Sequence, residues 1–211
     1  MDFFEVVHTQ RAIRRFRDEP VSDEAVRTIL DAAIRAPSGS NLQPWRWIVV
    51  RDATVKARLA ESLLESVEAS GFLPMVRDRL AAARTAREQR MYRQAIDLVT
   101  DLGSAPVLVV PCLVGLSSPT ADVQSLLAGS SIYGAVQNML LAARALGLGT
   151  VLTTFHARFE EGLREILAIP AEATPVALVP VGYPADGERF GPTTRKPVEE
   201  VAFLDGWGLS L

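Results

Sequence analysis

The spacing of apolar side chains changes several times along this chain, and each change predicts an element. Val26, Ile29, Leu30, Ala33 and Ile34 recur three or four residues apart, which is one face of an amphipathic helix. Ser22 precedes that run as an N-cap, with Asp23 and Glu24 in the first turn, where the helix dipole favours acids. The polar stretch Ala36-Pro37-Ser38-Gly39-Ser40-Asn41 stops it. Further helices are predicted over residues 3–10, over 53 to about 70, and from about 75 to 102, the last rich in arginine. Residues 130–146 carry small and apolar side chains on nearly every side, so that helix is expected to be buried. Residues 159–168 form a final helix, stopped before Pro170. Strands are predicted at 45–50, 150–154, 176–183 and 107–113, the last an unbroken apolar run suited to the centre of a sheet. The alternation of helices and strands predicts a single α/β or α+β domain over 1–211. Two stretches stand apart: an excursion at about 71–104 and an irregular apolar arm at about 197–211.

Composition narrows the function classes. The formal net charge of -3 supplies no overall field to draw nucleic acid or an anionic membrane, so neither is an expected partner. No apolar run reaches the ~20 residues that cross a bilayer, and the N-terminal residues do not read as a signal peptide; a cytoplasmic protein is the expectation. Cys112 stands alone in an apolar run, so an intramolecular disulfide is excluded and a buried, inert thiol is expected. His8 and His156 have no second ligand at metal spacing, and no metal site is expected. Gly147-x-Gly149 follows a helix rather than a strand, so the pair reads as a helix C-cap instead of a dinucleotide fingerprint. Ser38 lacks the context of a hydrolase nucleophile. The basic residues are almost all arginine, Lys56 and Lys196 being the only lysines, and arginine grips phosphate through a planar fork.

Two segments then hold the candidate chemistry. Gln10-Arg11-Ala12-Ile13-Arg14-Arg15-Phe16 places three arginines at one turn, either as a solvated cluster or as a phosphate-binding loop. Ala36 to Trp45 packs Ser38, Ser40, Asn41 and Gln43 between a helix and a strand, either as an ordinary turn or as a loop that hydrogen-bonds a heterocycle.

Arg11-Ala12-Ile13-Arg14-Arg15-Phe16 resembles the N-terminal flavin loop of the FMN-dependent nitroreductase family, and Ala36 to Trp45 resembles that family's Ala-Pro-Ser-x-x-Asn-x-Gln-Pro-Trp segment. Ala142 to Thr150 resembles its central helix and following strand, and Pro180 to Pro184 and Arg195 to Val201 its C-terminal end. The resemblance implies an α+β fold with a mixed sheet flanked by helices, built as a domain-swapped homodimer with FMN at the subunit interface. It implies a cofactor site at Arg11, Ala12, Arg14, Arg15, Pro37, Ser38, Gly39, Ser40, Asn41, Gln43, Thr153, Thr154 and Arg195. Within it, Arg11 and Arg195 would hold the phosphate, and Arg14 would lie near the N1 and O2 edge of the ring. Ser38, Ser40 and Asn41 would come from the partner subunit, and Thr153 and Thr154 would lie near N5.

The implied activity is ping-pong reduction of a nitroaromatic, quinone or related small-molecule acceptor by NADPH or NADH. No catalytic side chain is expected, since the flavin carries the chemistry. Ala12 departs from the family's usual hydroxyl, and Thr193 stands where many members have lysine. Phe72, Met75, Met91 and Tyr92 would form either a lid or a packed excursion helix. The alternatives are a flavin-binding or storage protein without turnover and a dehalogenase-type member resembling iodotyrosine deiodinase. Glu88-x-x-x-Tyr92 fits the deiodinase lid, but that lid also needs a lysine, and none lies between Lys56 and Lys196.

Overall fold

A computed structural model describes residues 1–115 and 123–209. Seven α-helices surround one sheet among these residues. The helices are α1 (Phe3–Thr9), α2 (Asp23–Ala33), α3 (Ala53–Ala69), α4 (Phe72–Ala82), α5 (Ala86–Thr100), α6 (Val123–Ala145) and α7 (Glu160–Leu167). The strands are β1 (Trp45–Val50), β2 (Val107–Val114), β3 (Gly149–Thr150), β4 (Ala173–Pro175) and β5 (Val179–Gly182).

The sheet runs β1-β2-β5-β3, with β4 also on β2. Alternate residues of β2 serve opposite faces, as strand geometry demands. Val107, Val109 and Leu113 pack with α2 and α6, and Leu108, Val110 and Cys112 pack with Leu59 and Leu63 of α3 and Leu163 of α7. The sheet is thus buried between two helical layers, which explains the unbroken apolar run of β2. Cys112 is buried, and burial pushes its thiol up to about 11, so it is inert as expected.

The structure corrects five expectations. The strand expected at 150–154 shortens to β3, with Thr153 joined to Leu178 by an isolated bridge. Among the described residues the strand ladders are all antiparallel, in place of the mixed sheet, and parallel pairing is confined to an isolated bridge from Ala12 to Thr150. The arginine-rich helix is two helices, α4 and α5, because Thr85 and Glu88 form a capping box that starts a new one. Gly149 is not a cap: Gly147 takes the left-handed conformation, at φ 76°, while Gly149 begins β3. Finally, the strand expected at 176–183 is confined to β5, and a separate strand, β4, precedes it. Three residues, 176 to 178, face only Val110 and Pro111 of β2, which makes a bulge opposite a proline that has no N–H to offer. The bulge turns the backbone of Leu178 toward Thr153, and the two exchange hydrogen bonds of 3.0 and 2.9 Å.

His156 follows that junction and is buried, with Nδ1 unpartnered among the described residues. Burial lowers its pKa, opposed by the Glu160 carboxylate and the Thr153 backbone. A histidine depressed in the folded state takes up its proton more readily in the unfolded chain, so stability is lost as pH falls below about 6.5. Urea unfolding at pH 7.5 and 5.5 should show a smaller loss in His156→Leu than in the wild type. An equal loss would place the sensitivity elsewhere.

Candidate active site

The segment from Arg11 to Phe16 lies flat along the sheet edge. Ile13 N–H donates to Thr150 O at 3.0 Å, and Arg17 N–H donates to Tyr183 O at 2.9 Å. Two glycines make that approach possible. A Cβ on Gly149 would sit 2.7 Å from Ile13 Cβ, and one on Gly182 would sit 2.7 Å from Pro106 Cδ and 3.0 Å from Phe16 Cδ1. Ile13 and Phe16 are thereby turned into the protein, and the arginines between and before them are turned out.

Those arginines border two cavities. One, of about 560 Å³, is lined by Arg14, by Val151 to Phe155, and by α5 through Arg87, Arg90, Met91, Gln94, Ala95 and Leu98. The other, of about 660 Å³, is lined by Arg11, Arg15, Arg90, Arg93, Gln94, Asp97 and the loop Gly187 to Arg189. Arg90 and Gln94 face both. Arg14 is half-buried and donates from Nη1 to Gln94 Oε1 at 3.2 Å. Burial lowers its pKa, opposed by Glu188 and reinforced by Arg11, yet arginine keeps its charge in proteins. Arg15 is tied to Glu188 at 3.1 Å. Burial raises the Asp97 carboxyl, helped by Asp101 and opposed by Arg15.

The structure therefore brings together Arg11, Ala12, Arg14, Arg15, Thr153 and Thr154. It does not bring the amide loop to them within one chain. Pro37, Gly39, Ser40, Asn41 and Gln43 are exposed, and none of them lines either cavity. The loop is nevertheless built rather than slack. Ser38 Oγ accepts from Gln43 N–H at 3.0 Å, and Gly39 N–H donates to Ser131 Oγ at 3.1 Å. Ser40, Asn41 and Gln43 all have positive φ, between 49° and 54°. Such conformations are costly away from glycine and gather at functional sites. Arg195 is exposed, and the bond it makes is to the neighbouring Thr194 O.

Sequence reasoning missed Gln94, Glu188, Arg87 and Arg90, which the excursion and the 185–190 loop carry to the cavities. It also missed Arg144, whose Nε donates to Thr9 Oγ1 at 2.9 Å while its guanidinium stacks on Phe190 at 4.1 Å. That buried arginine anchors the loop holding Glu188. Of the four lid candidates, Met91 alone lines the cavity next to Arg14; Phe72 instead packs edge-on against Phe155. The Glu88 carboxylate accepts from the N–H groups of Arg84 and Thr85 and from the Thr85 hydroxyl, bonds that hold its pKa below the ordinary value. It is engaged as a helix cap, which counts against the deiodinase lid.

Known proteins share this architecture. An Archaeoglobus fulgidus protein named for NADH dehydrogenase and NAD(P)H nitroreductase activities is 32% identical over 187 residues, covering 88% of this chain and 87% of that one. A Thermus thermophilus NADH dehydrogenase is 32% identical over 195 residues, covering 91% and 90%. Iodotyrosine deiodinase 1 of Rattus norvegicus is more distant, at 27% over 202 residues, 95% of this chain and 68% of that one. Among solved structures, a Desulfovibrio desulfuricans protein in complex with FMN superposes with a TM-score of 0.67 at 29% identity, covering 98% of both chains. The model of the nitroreductase family matches residues 7–183. With most of its length matched and relatives above 30% identity along nearly the whole chain, this protein belongs to the nitroreductase family of oxidoreductases.

Proposed function

We propose that this chain binds FMN and, as a homodimer, uses NADH or NADPH to reduce small acceptors such as nitroaromatics and quinones by a ping-pong mechanism. The observation that carries the reading is the slot beneath Arg14. It combines an apolar wall (Val151, Leu152 and Phe155) with a fixed cation and a hydroxyl-bearing edge at Thr153 and Thr154. A flat, partly polar heterocycle suits that lining, and Arg11 at the adjoining cavity suits a phosphate. FMN, when bound, takes two electrons from the nicotinamide and passes them to the acceptor.

The protein's own part is binding and electrostatics. Gln94 holds the Arg14 guanidinium toward the slot, where its charge favours a ligand that becomes more negative on reduction. The bulge at Leu178 pins Thr153, so the opposite edge is also rigid. Ser38, Ser40, Asn41 and Gln43 would complete the site from a second subunit, which accounts for an ordered but exposed loop. A second copy would also cover the apolar face between α1, α2 and α6, where Phe3 and Phe4 are both 65% exposed beside a cavity of about 340 Å³ lined by Ala32, Leu141, Ala142 and Ala145.

The visible spectrum of the purified protein tests this directly, followed by anaerobic addition of NADH or NADPH. A flavin band that bleaches supports the reading. A band that persists points to a storage protein, and a chain that binds no FMN overturns the assignment. Arg14→Gln should lower the midpoint potential of the bound flavin by about 30 mV, the equivalent of one tenfold loss in preference for the two-electron reduced state. Spectroelectrochemical titration measures the shift, and an unchanged potential would remove Arg14 from its assigned role.

A further inference from the structure

Several arginines elsewhere in this chain are paired with carboxylates, among them Arg35 with Asp31, Arg51 with Asp23, Arg77 with Glu68 and Arg164 with Glu160. The face of α5 toward the slot has the opposite character. Arg87, Arg90, Met91, Gln94 and Leu98 recur at helical spacing and line the cavity with Arg14. The side chains of Arg87 and Arg90 form no ion pair or hydrogen bond with any described residue, and among the described residues no carboxylate lines that cavity. The acids of α5 are directed elsewhere, Glu88 to its capping box and Asp97 to the neighbourhood of Arg15 and Arg93. Three guanidiniums thus border one chamber whose other lining is an apolar wall with the neutral polar side chains of Gln94, Thr153 and Thr154. An anion entering the chamber would be attracted by all three.

We infer that Arg87 and Arg90 form an anion subsite, selecting ligands that carry a carboxylate or phosphate on an apolar or aromatic body. The inference rests on the slot being the substrate chamber of the proposed flavoenzyme. Arg14 is already engaged by Gln94 and assigned to the flavin, so the α5 pair is left for the molecule that binds beside it. The anion has two sources: a carboxylate on the electron acceptor, or the phosphates of the dinucleotide.

Titration of the oxidised holoenzyme separates them. The visible flavin spectrum reports binding of 4-nitrobenzoate and of neutral 4-nitrobenzyl alcohol, which share one aromatic body. The carboxylate should bind about tenfold or more tightly, the scale of one charge-assisted hydrogen bond. Arg87→Gln/Arg90→Gln should abolish that preference, and Arg58→Gln, which removes an exposed arginine on α3, should keep it. If the dinucleotide is the source, the double variant instead weakens NADPH binding about tenfold in rapid-reaction reduction of the flavin. Double-variant affinities for both nitrobenzoate and NADPH that match the wild type would overturn the inference. Failure of the flavin reading is separately visible, as a missing absorption band before any ligand is added. Calorimetry with 4-nitrobenzoate then still decides whether the arginine pair binds an anion.

Discussion

Valine in place of Gly149 should lower FMN affinity at least tenfold as well as destabilise the fold. A Cβ at that position would meet Ile13 Cβ and Cγ2 at 2.7 Å and Cγ1 at 3.0 Å. These atoms sit at the root of a fully buried side chain, so no rotamer change clears them. The backbone of residues 12–14 has to move instead, breaking the 3.0 Å bond from Ile13 N–H to Thr150 O. Overpacking of this kind costs about 1–3 kcal/mol, and valine adds two further methyl groups. The arginines beside Ile13 move with it, and a shift of about 1 Å in a positioning group can cost on the order of a hundredfold in function. Gly182 pairs with Gly149 across the ladder and holds Phe16 in the same way, so Gly182→Ala should act in the same direction. Denaturant unfolding gives the stability, and quenching of FMN fluorescence gives the affinity. Lost stability with unchanged FMN affinity would mean that the close packing serves the fold alone and does not seat the site.

That pair of glycines also marks where sequence reading succeeds and where it stops. Local signals carried most elements. Ser22 caps α2 by accepting from Ala25 N–H, as its position before two acids suggested. β1 occupies the expected residues, and the apolar run of β2 is buried on both faces. The Thr85-x-x-Glu88 box that divides α4 from α5 was equally visible, and the helical run of arginines around it masked it. What could not be read is non-local. Gly149 as a C-cap satisfies every local rule, and only the approach of Ile13 shows its other use. The division of β4 from β5 depends on Pro111, more than sixty residues away in the chain. Arg11, Arg14 and Arg15 were legible as a cluster, but their setting is supplied by Gln94 and Glu188 from distant segments. The amide loop was legible as a motif, and its three positive φ angles give it a cost that a plain turn does not need.

Truncation after Lys196 should convert the protein into a folded monomer that no longer retains FMN. The arm, described as far as residue 209, carries Val198, Val201, Phe203, Leu204, Trp207 and Leu209 at the surface, with Trp207 94% exposed. Phe203 and Trp207 stack on each other at 5.1 Å, and Leu204 N–H donates to Leu209 O, so the arm is a shaped curl without a core contribution of its own. Burying such side chains is worth ~1.5–3 kcal/mol each. A gain of about 5 kcal/mol from one arm, after allowance for the entropy of ordering it, changes a dimer dissociation constant by roughly 10³–10⁴, and two-fold symmetry applies the gain twice. Removing the arm leaves both hydrophobic clusters of the core intact, since no described arm residue belongs to either. Circular dichroism should therefore stay close to that of the full chain while sedimentation equilibrium moves to the monomer mass. On the proposed arrangement, in which Ser38 to Gln43 reach the ring from a partner subunit, FMN is lost in the same step. A truncated protein that stays dimeric would place the interface entirely on the α1 and α6 face. A monomer that keeps its flavin would show that one chain holds the cofactor unaided.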